Sequence, residues 1–361
     1  MPQMESVAKS DANDDRKLVL AGDFAINSRS DRKQSCGVSS LDGSVSLINL
    51  ILYVKDKSFV YVNYLNYLLK NYGFAEEFYK WGHGIVADLW TTRWQEMKRI
   101  VLPLPSALIQ QNIAAFLDKK LAEVDKLIEV QQAQIEKLKE YKQSVIAEAV
   151  TKGLDPATPM KDSGIEWLGA VPENWQLYKL KYAYLVRNEK YVSGNYNYIA
   201  LENVESMSGK YICTETNANY MLQGSILAKV GDVIFGKLRP YLAKTMVVDE
   251  ESYVSPEFAV FYSCINNAAF LKYLFLSAGF LDIINSSTCG TKMPRANVDY
   301  ICNLSIVLPS TIEQQQIAEY LDDKCAKIDK LIALKQEKIE KLNEYKKSLI
   351  YEYVTGKKEV V

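Results

Sequence analysis

The sequence predicts an α+β protein: two globular domains on mixed or antiparallel sheets, joined by two long helices packed as an antiparallel coiled coil. Three observations carry that expectation. The segments Leu104–Thr151 and Leu308–Thr355 align without a gap, 204 residues apart, and more than half of their positions are identical. Within each copy the apolar residues recur in steps of three, four and seven between Lys and Glu, the pattern of a coiled-coil helix. Ahead of each copy the text is strand-like, with turn residues at matching places: Gly22-Asp23 and Gly231-Asp232, 209 residues apart. The duplication is therefore of a whole unit, a globular domain followed by a long helix.

The helical seam is Val124, Ile128, Ile135, Leu138 and Val145 in the first copy, and Ile328, Ile332, Ile339, Leu342 and Leu349 in the second. Polar residues interrupt it at matching places, Gln131 and Lys142 against Lys335 and Lys346, and such positions set register at some cost in stability. Each copy opens on Leu-Pro-Ser and a Gln pair, Gln110–Gln111 and Gln314–Gln315. Two matched helices with a large domain between them predict an antiparallel pair that acts as a spacer.

Taken in order, residues 1–17 are polar and without period and form a leader. The first domain spans 18–105, the first spacer helix 106–153, the second domain 154–309 and the second spacer helix 310–361. In the first domain, β-branched runs are cut by Gly22-Asp23, Gly37 and Asp42-Gly43, and Phe59–Tyr79 reads as one amphipathic helix. The second unit opens with some seventy residues, from Lys161 to Lys229, that have no counterpart before Gly22. An incomplete sheet is expected in the first domain unless another chain supplies the missing part, as in a truncated product, a donor cassette or a fragment. Such a cassette would read a single half-site.

At 361 residues, 48% hydrophobic and 24% charged, the chain has the composition of a soluble two-domain protein. Six scattered cysteines without a CxxC pair indicate neither a disulfide framework nor a zinc site. There is no signal peptide and no long apolar run, which predicts a cytoplasmic protein with reduced thiols and no membrane partner. The net charge of −1 makes no overall case for nucleic acid, so any DNA contact rests on local patches.

Several motifs together resemble the specificity subunit of type I restriction–modification systems. In the second unit they are Lys161–Leu168, Pro172-Glu173-Asn174-Trp175, Val254-Ser255-Pro256, Gly290-Thr291-Lys292-Met293-Pro294-Arg295 and the Leu-Pro-Ser…Gln-Gln helix starts. In the first, Asn27–Arg32 and Ala87-Asp88-Leu89-Trp90 are similar to a subgroup of such domains. The resemblance is strong for the second unit and partial for the first. It implies two target-recognition domains, each followed by a spacer helix, and a non-catalytic chain that reads double-stranded DNA at a bipartite target. It further implies two modification subunits and a restriction subunit as partners. S-adenosylmethionine and ATP with magnesium would bind those partners and not this chain.

The residues themselves offer little catalytic chemistry. His83 is the single histidine and sits between glycines, as in a loop. The stretch Gly231–Leu238 has phosphate-loop spacing, but Leu238 replaces the magnesium-binding hydroxyl and Pro240 follows where a helix should run, which makes it a strand and turn. DNA reading is the positive expectation. Lys237, Arg239, Tyr241 and Lys244 fall in one short loop or strand edge, and Thr291, Lys292, Arg295 and Asn297 in another. Their first-domain counterparts are Ser28, Arg29, Arg32 and Lys33, with Arg93 later. Arg and Asn can address guanine and adenine edges, while Lys and Thr suit phosphates. Tyr191, Tyr196 and Tyr198 around Asn195 and Asn197 either read bases or fill a sheet face. A purely structural coiled-coil protein and an enzyme acting alone are the other classes, distinguished by DNA affinity and by activity of the isolated chain.

Overall fold

A computed structural model describes residues 16–29, 35–84, 90–190, 197–212, 224–288 and 293–360. Two compact units emerge, one of residues up to Ala133 together with Leu334–Val361, the other Gln134–Ala333. Each unit thus holds one globular domain and a half of each long helix.

The second unit is built on two larger sheets. In one, Val233–Gly236 lies between Thr245–Val247 and Phe258–Tyr262, and Leu185–Arg187 pairs antiparallel with the outer edge of the latter. In the other, Ser252–Val254 pairs parallel with Asn197–Ile199 and antiparallel with Ile226–Ala228. A short ladder joins Gln176–Lys179 to Ser305–Leu308. The helices Ala268–Leu276 and Ala278–Ser286 are almost wholly apolar toward the sheet, so Phe235, Phe261, Phe275 and Phe280 form one ring cluster. Trp175, Leu180 and Tyr184 from the opening stretch belong to the same core. That core is continuous with Ile146 and Val150 of the first long helix and Ile317 and Leu321 of the second. Among the described residues no single helix is long and apolar enough to cross a membrane; the bent helix pair 268–286 passes that test only in combination.

The first unit repeats the frame from its first described strand onward. Phe24–Asn27 lies between Cys36–Val38 and Asn49–Leu52, and Arg16–Val19 pairs with Gly43–Ser46. These strands stand 209 residues before Val233–Gly236, Thr245–Val247, Phe258–Tyr262, Ile226–Ala228 and Ser252–Val254, and they pair in the same way. The single helix expected over Phe59–Tyr79 is in fact two, Val62–Lys70 and Tyr72–Lys80. Asn71 breaks it: its backbone is extended, and its side chain accepts from the Phe74 N–H at 3.0 Å to cap the next helix. Local capping of this kind competes with helix continuation. Ser277 marks the same break in the second unit.

The long helices run Ala107–Lys152 and Thr311–Val354. All ten predicted seam positions are buried or half-buried. Pairing within each unit is antiparallel. In the first, Phe116 stacks on Tyr353 at 4.5 Å between ring centroids, and Asp125, further along, accepts from Lys346. In the second, the Lys142 ammonium donates to Asp329 at 2.7 Å. Asp125 and Lys142 precede Asp329 and Lys346 by 204 residues, so the two ion pairs are one interaction made twice. Lys142 and Lys346, which interrupt the heptads, are therefore held by the facing helix.

Each helix start is latched to its domain by the first Gln of the pair. Buried Gln314 accepts from the Asn267 N–H at 2.9 Å and donates to the Pro309 carbonyl and to Asn266. Buried Gln110 accepts from the Tyr61 N–H at 2.8 Å and donates to the Phe59 and Pro105 carbonyls. Asp118 and Asp322 likewise accept from Tyr67 and Tyr273, each at 2.5 Å.

Asp329 provides a test of the helix pair. Burial opposes its ionisation, yet the hydrogen bonds from Lys142 and Lys210 outweigh it and hold the carboxyl below its ordinary range. A depressed folded-state value contributes stability above about pH 4 that disappears as pH falls through the lower value. Asp329→Ala strands the buried Lys142 ammonium and is expected to cost about 3–5 kcal/mol at neutral pH. The difference from the parent in urea midpoint should shrink as the medium is acidified from pH 5 to pH 2; a constant difference would exclude this pairing.

Candidate nucleic-acid interface

The site begins at the end of strand Val233–Gly236, where the chain must leave the sheet. Lys237 N–H donates to the Glu257 carbonyl, and Leu238 forms a β-bridge with Arg295, 57 residues later. Two more backbone bonds, Arg239 N–H to the Pro294 carbonyl and Ala296 N–H to the Lys237 carbonyl, each at 2.8 Å, close the ladder. The two basic loops predicted separately are thus one surface feature. Arg239 (φ +51°) and Ala243 (φ +45°) flank the turn Pro240–Leu242 in left-handed backbone. Such conformations cost of order 1–3 kcal/mol each and persist only where the surroundings impose them.

The side chains divide by role. Arg239, Tyr241 and Arg295 are exposed, as is Met293 beside them. Arg295 donates to Glu257, whose other carboxylate oxygen is buried without a partner among the described residues. Burial keeps the Lys237 ammonium below the ordinary lysine range, the Arg295 charge adds to that, and Glu257 opposes it. Lys244 is turned inward, donating to the Leu201 and Val204 carbonyls at 2.7 and 2.8 Å, so its charge braces the loop from within. Asn297 caps helix Val298–Asn303 by accepting from the Asp299 and Tyr300 N–H groups. Thr291 and Lys292 lie outside the described residues, as do Tyr191, Asn195 and Tyr196. Tyr198 is half-buried in a strand opposite Tyr253.

The first domain builds the same ladder. Ser28 N–H donates to the Ile48 carbonyl, Arg29 forms a β-bridge with Thr91, and Thr92 N–H donates to the Ser28 carbonyl at 2.9 Å. By the offsets of 209 and 204 residues, Ser28, Arg29, Thr91 and Arg93 stand where Lys237, Leu238, Arg295 and Asn297 stand in the second domain. Arg29, exposed Arg93 and Lys17 line one cleft of about 360 Å³. Arg32 and Lys33, and the segment Ala87-Asp88-Leu89, lie outside the described residues. His83 bonds through its backbone to Thr91, bracing this ladder.

The sequence reading missed Glu257 and Lys17. Glu257 follows the quoted Val254-Ser255-Pro256, and its role needs Arg295 beside it, a contact with no local signal. Lys17 reads as the end of the polar leader but stands in strand Arg16–Val19. Among the described residues no cluster of His, Cys, Asp and Glu could hold a metal ion.

Residues 172–344 match the family model of the type I restriction modification DNA specificity domain. The chain is 27% identical over 276 residues to the type I restriction enzyme MjaVIII specificity subunit of Methanocaldococcus jannaschii, covering 72% of this chain and 62% of that protein's length. Its fold is similar to a chain of a solved type I R-M system, with TM-score 0.73 at 15% identity over 95% of this chain and 84% of that one. The HsdS subunit from Thermoanaerobacter tengcongensis gives TM-score 0.51 at 15% identity, over 96% and 83%. Residues 172–344 thus carry the sequence of a type I restriction modification DNA specificity domain, within a chain similar in sequence and in fold to specificity subunits of type I systems.

Proposed function

We propose that the chain reads duplex DNA, one half-site per recognition domain, and directs an adenine methyltransferase and restriction complex to a bipartite target. The observation that carries this reading is the ladder of Lys237–Arg239 with Pro294–Ala296. Its β-bridge and two of its backbone bonds recur in the first domain with different outward side chains. A constant frame with variable exposed groups suits two readers of different sequences. Arg239 and Arg295 are the base-reading candidates, Tyr241 packs beside them, and Lys237 faces phosphate. Thr291, Lys292, Arg32 and Lys33 belong to the same two loops by sequence. Methyl transfer and cleavage belong to the partners, two modification subunits and a restriction subunit, which bind S-adenosylmethionine and ATP with magnesium.

Co-expression with the modification subunit, followed by genome-wide mapping of methylated adenines, tests the reading. A bipartite motif is the expected result. Arg239→Ala or Arg295→Ala should relax the motif at one position, at a cost of about 1–3 kcal/mol in discrimination. A phosphate contact would instead weaken all sites alike and lower the salt slope. An unchanged motif and unchanged methylation level in both variants would remove these loops from the interface.

A further inference from the structure

Glu257 stands beside the point where strand Val233–Gly236 gives way to the basic ladder. Its carbonyl accepts from the Lys237 N–H at 2.8 Å, a bond of the frame itself. Its carboxylate has a different partner. One oxygen accepts from Nη2 of Arg295, and the other is buried. The Arg295 side chain is 58% exposed and that of Glu257 29%, so the acid holds the arginine from the protein side. Among the described residues no second ion pair engages Arg295.

The first domain keeps this frame and drops the pair. By the offsets of 209 and 204 residues, Ile48 stands for Glu257 and Thr91 for Arg295. The Ile48 carbonyl still accepts from the Ser28 N–H, and Arg29 still bridges Thr91 as Leu238 bridges Arg295. Acid and arginine are thus present together in one copy and absent together from the other. A carboxylate that the frame required would be required in both. An exposed ion pair also contributes little to stability, and an acid beside a DNA-facing loop opposes the phosphates. What the pair supplies is geometry.

We propose that Glu257 is a positioning residue that sets base specificity in the second domain by orienting the Arg295 guanidinium. The inference rests on the DNA reading above and names a residue that acts through the base-reading arginine. An unanchored arginine samples many rotamers and serves any nearby acceptor, a phosphate included. With Nη2 fixed on Glu257, the plane of the fork is set before DNA arrives. The fork still has N–H donors for the O6 and N7 of one guanine. Glu257 therefore favours discrimination over affinity: it steers Arg295 away from phosphates and weakens attraction to every sequence alike.

The test uses the full chain co-expressed with the modification subunit. It compares methylation of a cognate duplex with that of a duplex altered at the position that Arg295→Ala relaxes. Glu257→Gln is expected to lower this ratio at the same position by about tenfold. Binding to a non-cognate duplex should be unchanged or tighter, because one negative charge is gone. In the Arg295→Ala background, Glu257→Gln should lower the ratio no further. Glu257→Asp, charged but one methylene shorter, should fall between parent and glutamine variant, and it carries the comparison if the glutamine variant fails to assemble. The proposal is overturned if Glu257→Gln leaves the ratio unchanged where Arg295→Ala lowers it, or if the two effects multiply in the double variant. It is also overturned if cognate and non-cognate binding weaken together, as a folding defect would make them. If Arg295→Ala relaxes no position, the DNA reading of this loop has failed and the proposal falls with it.

Discussion

Replacing Ile135 and Ile339 together by aspartate is expected to abolish cooperative folding of the long helices and of the cores they share. Both side chains are 6% exposed. Each substitution removes about 1.5–3 kcal/mol of apolar burial. Each also leaves a carboxylate where desolvation costs several kcal/mol more. The combined loss is comparable to the whole stability of an ordinary domain, about 5–15 kcal/mol. Far-UV circular dichroism should show a broad, early melt, and small-angle scattering an expanded chain. Lys137→Asp with Lys338→Asp, both on exposed faces of the same helices, is the control and should stay within about 0.5 kcal/mol per site. Parent-like melting and scattering of the Ile135, Ile339 variant would mean that the heptad seam is not buried.

Trp175→Ala should be the most damaging single change in the second domain. The indole is fully buried, its N–H donates to Glu313 at 3.0 Å, and its ring lies against Gly153 at the end of the first long helix. Truncating a buried aromatic of this size costs about 3–5 kcal/mol. For a unit of this length that lowers Tm by about 6–20 °C. Trp175→Phe keeps most of the volume but orphans Glu313, and should fall between. A shift below about 2 °C for the alanine variant would show that the opening stretch adds little to the core.

Much of the architecture is legible without coordinates because its signals are local and repeated. The heptad period of Leu104–Thr151 and Leu308–Thr355 identifies two long helices, and the 204- and 209-residue offsets identify a duplicated unit. All ten seam positions are withdrawn from solvent. The helix break at Asn71 escaped, although Asn is a good cap, because the apolar period of Phe59–Tyr79 continues across it. Amphipathicity records which face is buried and does not record whether the backbone turns within the segment.

The candidate interface was legible by residue type only. Arg239 and Arg295 stand out as exposed arginines in short loops, but their adjacency comes from a bridge between residues 57 apart. Lys244 reads like its neighbours in sequence, yet its ammonium is spent on two carbonyls. Composition cannot separate an outward lysine from an inward one, because the aliphatic stem allows either.

By itself, then, the sequence determined the periodic and repeated parts of this protein: the two helices, their apolar faces and the strand–turn frame of each domain. Those properties depend on neighbours a few residues away, or on likeness between two copies of one text. Only the tertiary structure decided which lysine meets which aspartate and which loops adjoin. It alone also shows that Leu52, Leu69, Phe74 and Leu102 of the first domain line one apolar cleft. Such pairings join residues tens to hundreds of positions apart, and they are set by how the sheets and helices pack, a long-range outcome with no signature in any short stretch of chain.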